Sequence, residues 1–416
     1  MIDILQRYGG SPTFFIPAVV LRRHPRLMAD IARSGTEIGL HGYVHNDYRL
    51  LSWDEQYEQT RKAALTFKRS QIVCQGVRNP YLGWTEESLH VYKALGLDYE
   101  SNEAVLHEII GPGDLHPLAR SGYEKSLDLY RALPCNAYTL RPHFEDSLLR
   151  IPLSIPDDEM LLDRLRMAQE EEVGRIWSAI MQRVYATGGL YTLNLHPERA
   201  VLCQHALAML LTCAREQPLP VWIARLCDIA EWWQERSRFR ITVTPLCANL
   251  WLVDAACRPR ATLLARHLTV EDAIPTTPWV GSDVVVHARH FSVHATHCPV
   301  VSLSPRTPDA VCAFLYEQGY PVVRRAADDG QDAVHLDLPE GLGTTRAEQV
   351  QRCGALLDRL EQVERPLIHF GCWPNGQRAA LAISGDIDSI TIQDFFLRVL
   401  EFRQHTSRRF PVLKKR

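Results

Sequence analysis

A chain of 416 residues with 46% hydrophobic content has apolar material for two or three globular domains, at roughly 100–200 residues each. Its 46 basic and 49 acidic residues give a formal charge of −3, too balanced to attract phosphate backbones or anionic lipid, so nucleic acid is not the expected partner. Eleven cysteines at irregular spacings, several inside apolar stretches around Cys203, Cys213, Cys312 and Cys353, read as reduced thiols and not as a disulfide framework. The first ten residues lack a basic leader followed by an apolar core, and no apolar run approaches the roughly 18–20 residues of a spanning helix. A cytoplasmic location without a membrane span is the expectation; the oligomeric state is not legible.

Up to residue 235 short β-type runs alternate with helical ones. Residues 13–17 read as a strand, 27–33 as an amphipathic helix, 37–40 as a strand, 53–69 and 86–95 as helices, and 150–155 and 190–195 as strands. Alternation of this kind predicts an α/β fold with a parallel sheet or barrel over residues 1–235. Between 236 and 343 the pattern changes to β-type runs at 241–244, 250–253, 283–286 and 299–303 separated by prolines, which predicts an inserted accessory domain, β-rich or α+β. A helix at 345–363, strands at 366–370 and 378–384 and a helix at 392–402 follow, and residues 344–416 are expected to return to the first domain. The basic end, Lys414-Lys415-Arg416, reads as a solvated tail.

The chemistry begins at His41-Gly42-Tyr43-Val44-His45, directly after a strand end, where catalytic groups collect in parallel α/β folds. Two imidazoles at this spacing share one helical face or meet across a tight loop, and imidazole suits zinc. Three further segments join it: Thr13-Phe14-Phe15-Ile16-Pro17, Gly76-Val77-Arg78-Asn79-Pro80-Tyr81 and Leu195-His196-Pro197. With Gly35-Thr36-Glu37-Ile38-Gly39-Leu40-His41, this ordered set over about 200 residues resembles the second, third and last motifs of the polysaccharide deacetylase (NodB-homology) family.

The resemblance implies a distorted (β/α) barrel in which His41 and His45 bind one divalent metal ion, usually zinc. It further implies that Arg78 orients a catalytic carboxylate, that His196 protonates the leaving amine, and that Tyr81 offers a main-chain N–H to the oxyanion. Family members open with a strand ending in two acidic residues, a general base and the third metal ligand, and nothing before Met1 and Ile2 supplies it. Residues 373–388, ending Ser384-Gly385-Asp386-Ile387-Asp388, resemble that first motif in its D-x-D variant. A circularly permuted order is therefore expected, with Asp386 as base and Asp388 as metal ligand; in extended chain the two share a face. A truncated gene model and a second unit cut short after its opening strand are the rival accounts.

Three other features carry weaker expectations. His287, His290, His294 and His297 read as a histidine-bearing surface element rather than a second metal site. Asp157-Asp158 reads as a helix cap in preference to an acidic pair at a strand end. Trp84 either stacks on a sugar face, with Tyr81 as the other substrate contact, or packs in the core. The functional expectation is a hydrolase that removes an N-acetyl group from an amino sugar in a polysaccharide or glycan precursor. The resemblance also implies that relatives with the D-x-D variant include enzymes acting on non-sugar C–N bonds, such as those of cyclic imides and ureides, so such an amide is the alternative substrate. A non-catalytic, carbohydrate-binding relative is the alternative class.

Overall fold

The computed structural model of the protein describes residues 1–111, 113, 115–271, 273–326 and 330–405. The tail at 414–416 lies outside the described residues. Runs read from sequence as strands and helices form close to their expected bounds: Thr13–Ile16, Glu37–Leu40 and Leu190–Asn194 are strands, Pro25–Arg33, Trp53–Arg69 and Glu86–Ala94 helices. Local chemistry sets several of these limits. Ser52 opens the Trp53–Arg69 helix by exchanging hydrogen bonds with Glu55, so that both ends of a capping box satisfy N–H groups that the first turn cannot pair.

The principal sheet has twelve strands and curls into a distorted barrel. From one edge its order is Leu133–Pro134, Ala104–Leu106, Leu153–Ile155, Leu190–Asn194, Ala379–Asp386, Thr13–Ile16, Glu37–Leu40, Gly76–Val77, Tyr99–Glu100, Leu148–Arg150 and His143–Glu145. Every pairing is parallel except the last. The C-terminal strand Ala379–Asp386 lies between Thr13–Ile16 and Leu190–Asn194, and Val221–Ile223 pairs with its beginning. All eight of its residues are buried, which explains the unbroken run Ala379-Ala380-Leu381-Ala382-Ile383: a parallel strand covered on both faces has no solvent side to mark.

Gly385 shows how tightly that strand is seated. A Cβ at this position would stand 2.3 Å from the carbonyl oxygen of Leu195, which is main chain and cannot swing aside. Gly385→Ala is therefore expected to cost about 1–3 kcal/mol through overpacking and to lower the urea midpoint of unfolding.

The accessory region is of the α+β kind. It holds two antiparallel four-stranded sheets and one parallel three-stranded sheet, Val322–Arg324, Cys298–Leu303 and Asp332–Leu336. The helices Asp309–Glu317 and Arg346–Glu361 pack on the last of these through Val311, Phe314, Leu356, Leu357 and Leu360. The return to the principal sheet comes later than residue 344. Leu367–Phe370 pairs with Leu263–Arg266 in an accessory sheet, so only the chain from Ala379 onward rejoins the barrel. Periodicity could not separate these cases, because a short buried run reads alike in either sheet. None of the eleven cysteines is paired, and only Cys247 is exposed. No helix among the described residues is long and apolar enough to cross a membrane.

Candidate metal centre

Parallel strands deliver their following loops to one end of the sheet, and the chemistry-bearing residues follow from that geometry. His41 comes directly after Glu37–Leu40, Arg78 after Gly76–Val77, Ser101 after Tyr99–Glu100, His196 two residues beyond Asn194, and Asp386 ends the C-terminal strand. His41 to His45 is a loop and not a helical face. Gly42 has φ +78, and a Cβ there would meet the carbonyl oxygen of Val44 at 2.9 Å, so glycine permits the turn that brings the imidazoles together.

The loop places the ring centroids of His41 and His45 5.3 Å apart, with Asp388 between their edges. His41 Nε2 stands 3.4 Å from Asp388 Oδ1, and His45 Nε2 stands 3.2 Å from Oδ2. Ligand atoms of the three residues lie within 4.8 Å of one another, and no other such group occurs among the described residues. His41 Nδ1 donates to the carbonyl oxygen of Arg78 at 2.8 Å; a carbonyl only accepts, so this bond fixes the tautomer and leaves the Nε2 lone pair facing Asp388. Burial holds the His45 imidazole below its ordinary value, the neutral form a metal requires, despite the opposing pull of Asp388. Burial would raise the Asp388 carboxyl, but His45 and His41 outweigh it and hold it well below the usual carboxylate range. Two imidazoles and one carboxylate are three donors of the kind that catalytic zinc takes, so the residues present fit a divalent ion.

Arg78 occupies the floor beneath this group and is fully buried. Its Nη1 donates to Asn194 Oδ1 and Ser384 Oγ at 2.9 Å each and reaches Asp386 Oδ1 at 3.3 Å, while Nε and Nη2 bond to the carbonyl and hydroxyl of Ser101. Asn194 Nδ2 lies 3.4 Å from the other carboxylate oxygen of Asp386. Asp386 is thus fixed by two strands and a guanidinium. Two residues past the strand that carries Asn194, His196 Nδ1 donates to Asp158 Oδ1 at 2.8 Å, and the same carboxylate accepts from the His196 main-chain N–H. Burial alone would lower the imidazole, but Asp158, Asp386 and Asp157 together raise it well above its ordinary value. Burial and the Asp158 charge push the adjacent Asp157 carboxyl up to about 7.

Sequence reasoning did not assign Asp158, Asn194, Ser101, Ser384 or Arg398 to the centre. The cap at Asp157-Asp158 exists, since Asp158 accepts from Glu159 N and Asp157 from Met160 N, yet Asp158 also holds His196. In sequence the cap reading of Asp157-Asp158 outweighed that of an acidic pair at a strand end, and nothing there pointed to His196. Arg398 on the Ile392–His405 helix donates to Asp388 Oδ2 at 2.8 Å. Tyr81 packs edge-on to His45 at 4.7 Å, has φ 59, and is 41% exposed, so it stands at the mouth. Trp84 has a different setting: the guanidiniums of Arg150 and Arg346 lie 4.2 and 4.8 Å over its ring, within an ion network that includes Glu103 and Glu145. His290 and His294 are exposed on one accessory strand, with His287 bonded to Thr277 and His297 to Thr296.

Residues 1–100, which carry the Thr13 strand, both histidines and Arg78, match the polysaccharide deacetylase family profile. This part of the chain is similar to the polysaccharide deacetylases. Solved structures with a similar course include a protein from Mycobacterium smegmatis assigned as a polysaccharide deacetylase, at 20% identity, covering 56% of this chain and 74% of that one with a TM-score of 0.39. A PuuE allantoinase gives 16% identity over 56% of this chain and 70% of that one, with a TM-score of 0.43. A Pseudomonas aeruginosa protein assigned as a polysaccharide deacetylase gives 17% identity over the same shares, also with a TM-score of 0.43. The match of the first hundred residues supports a hydrolase.

Proposed function

We propose that the protein is a metal-dependent hydrolase that removes the N-acetyl group from an amino sugar of a polysaccharide or glycan precursor. In this reading the first acidic motif of the family comes from the C-terminal strand, in a circularly permuted order. The observation that carries it is the lodging of Ala379–Asp386 between Thr13–Ile16 and Leu190–Asn194, which sets Asp386 on Arg78 and Asp388 against His41 and His45. A scaffold that only bound sugar would not need a carboxylate held by a buried guanidinium beside a second carboxylate held by two imidazoles.

His41, His45 and Asp388 would hold the ion, which would supply Lewis acidity toward the amide carbonyl and the attacking water. Asp386 accepts the proton of the attacking water, and Arg78 with Asn194 fixes its oxygens for that transfer. Across the site His196 carries a proton, held on by Asp158, and gives it from Nε2 to the departing amine nitrogen. The main-chain N–H of Tyr81, at the mouth, donates to the oxygen that gains charge.

The reading is tested by incubating the zinc-loaded chain with N-acetylglucosamine oligomers and, separately, with a cyclic ureide. Release of acetate with a free amine left on the sugar is expected. Ring opening of the ureide without acetate release would transfer the proposal to non-sugar amides. Turnover of neither, with metal bound, would favour the non-catalytic class.

A further inference from the structure

At the other end of the principal sheet, where the strands begin, a cavity of ≈ 530 Å³ separates the barrel from the accessory sheets. Arg141, Arg236, Arg266 and Arg378 line it. Arg266 is paired through two hydrogen bonds with Asp283, at 2.6 and 3.0 Å, and Arg141 is paired with Glu361. Arg236 and Arg378 have no carboxylate among their hydrogen bonds. Arg236 donates to the carbonyls of Gly371, Glu317 and Gln318, and Arg378 to that of Ala186. The neighbouring Glu317 carboxyl is bonded to Trp233 and Phe144 and is itself pushed up to about 7 by burial, so it offers little compensating charge. Glu364 stands exposed at the rim.

Two guanidiniums with no carboxylate bonded to them, Arg236 at 1% exposed and Arg378 half-buried with the already paired Glu361 as its nearest opposing charge, leave the cavity short of bonded anions. A second observation points the same way. Gln318 lines the same cavity, is 2% exposed, and neither its Nε2 nor its Oε1 has a hydrogen-bond partner.

We propose that this cavity is a binding site for a small molecule carrying a phosphate monoester. A phosphate dianion can bond both guanidiniums that lack a carboxylate partner, which a monocarboxylate does less well, and arginine forks suit its oxygens. The remaining volume, within the range of about 300–1,000 Å³ typical of small-molecule pockets, accommodates the body of the ligand, with the Gln318 amide as its polar contact. The site stands apart from the metal centre. Arg378 precedes and Asp386 ends the same eight-residue strand, roughly 25 Å from end to end.

Inorganic phosphate is the probe, titrated against the full chain after chelation, so that the metal centre cannot report, with the unfolding midpoint followed at constant ionic strength and acetate as the comparison. A saturable rise with phosphate and none with acetate is expected, with phosphate binding at least about tenfold weaker in Arg378→Gln. Gln318→Leu keeps all four guanidiniums and is expected to weaken phosphate several-fold, which serves if Arg378→Gln does not fold. No saturable rise in wild type, an equal rise with acetate, or unchanged phosphate binding in the variants would overturn the proposal.

Discussion

Purified with zinc and freed of excess, the chain is expected to retain about one equivalent of the metal, and both His45→Ala and Asp388→Ala to lose it. Each substitution removes one of three donors that meet within 4.8 Å. Affinity is expected to fall about a hundredfold or more, since even partners that only orient a ligand contribute tenfold to a hundredfold. Elemental analysis checks the stoichiometry and a chelator competition checks the affinity. Because Asp388 lies just past the C-terminal strand and His45 in the loop after Glu37–Leu40, joint loss would establish one centre built from both ends of the sequence. Zinc lost from His45→Ala but kept by Asp388→Ala would place the third ligand elsewhere and remove the main support for the permuted order. A wild-type chain that takes up no zinc would favour the non-catalytic reading.

Asp386→Asn is expected to lower kcat by about 10²- to 10⁴-fold while leaving zinc content and KM near wild type. The amide keeps an oxygen for Arg78 at nearly the same position, so the floor of the site persists, but it cannot accept the proton of the attacking water. His196→Asn is expected to give a loss of similar size by removing the group that protonates the amine. The pH profile separates the two roles. Asp158 and its acidic neighbours keep the His196 imidazole protonated through neutral pH, so activity that needs this proton falls on the alkaline limb; Asp158→Asn, by releasing it, shifts that limb to lower pH. If Asp386→Asn instead loses zinc with unchanged turnover per bound metal, Asp386 is a ligand and not the base.

Much of the barrel was legible because its signals are local. Apolar runs of strand length, the Ser52–Glu55 cap and the glycine of the histidine loop each follow from a few neighbouring residues. Arg78 was visible through its motif, yet its partners were not: Asn194, Ser384 and Ser101 come from three other strands and are ordinary polar residues in sequence. Asp158 was hidden by a second, local duty as a cap. The accessory boundary was misplaced because Leu367–Phe370 and Ala379–Asp386 are both buried apolar strands, and only pairing tells which sheet each enters. Trp84 was ambiguous for the same reason, since arginines far away in sequence determine what its ring faces.

The position of the C-terminal strand also bears on when the protein can work during its synthesis. His41, His45 and Arg78 leave the ribosome early, but the strand that belongs between Thr13–Ile16 and Leu190–Asn194 emerges after the whole accessory region. Until then the nascent barrel holds two unpaired strand edges and a buried-type arginine without its carboxylate, a state that pairing of distant segments must resolve. Assembly of the sheet and completion of the centre are consequently one event. Any interruption before Asp388 removes a core strand together with the carboxylate that meets His41 and His45.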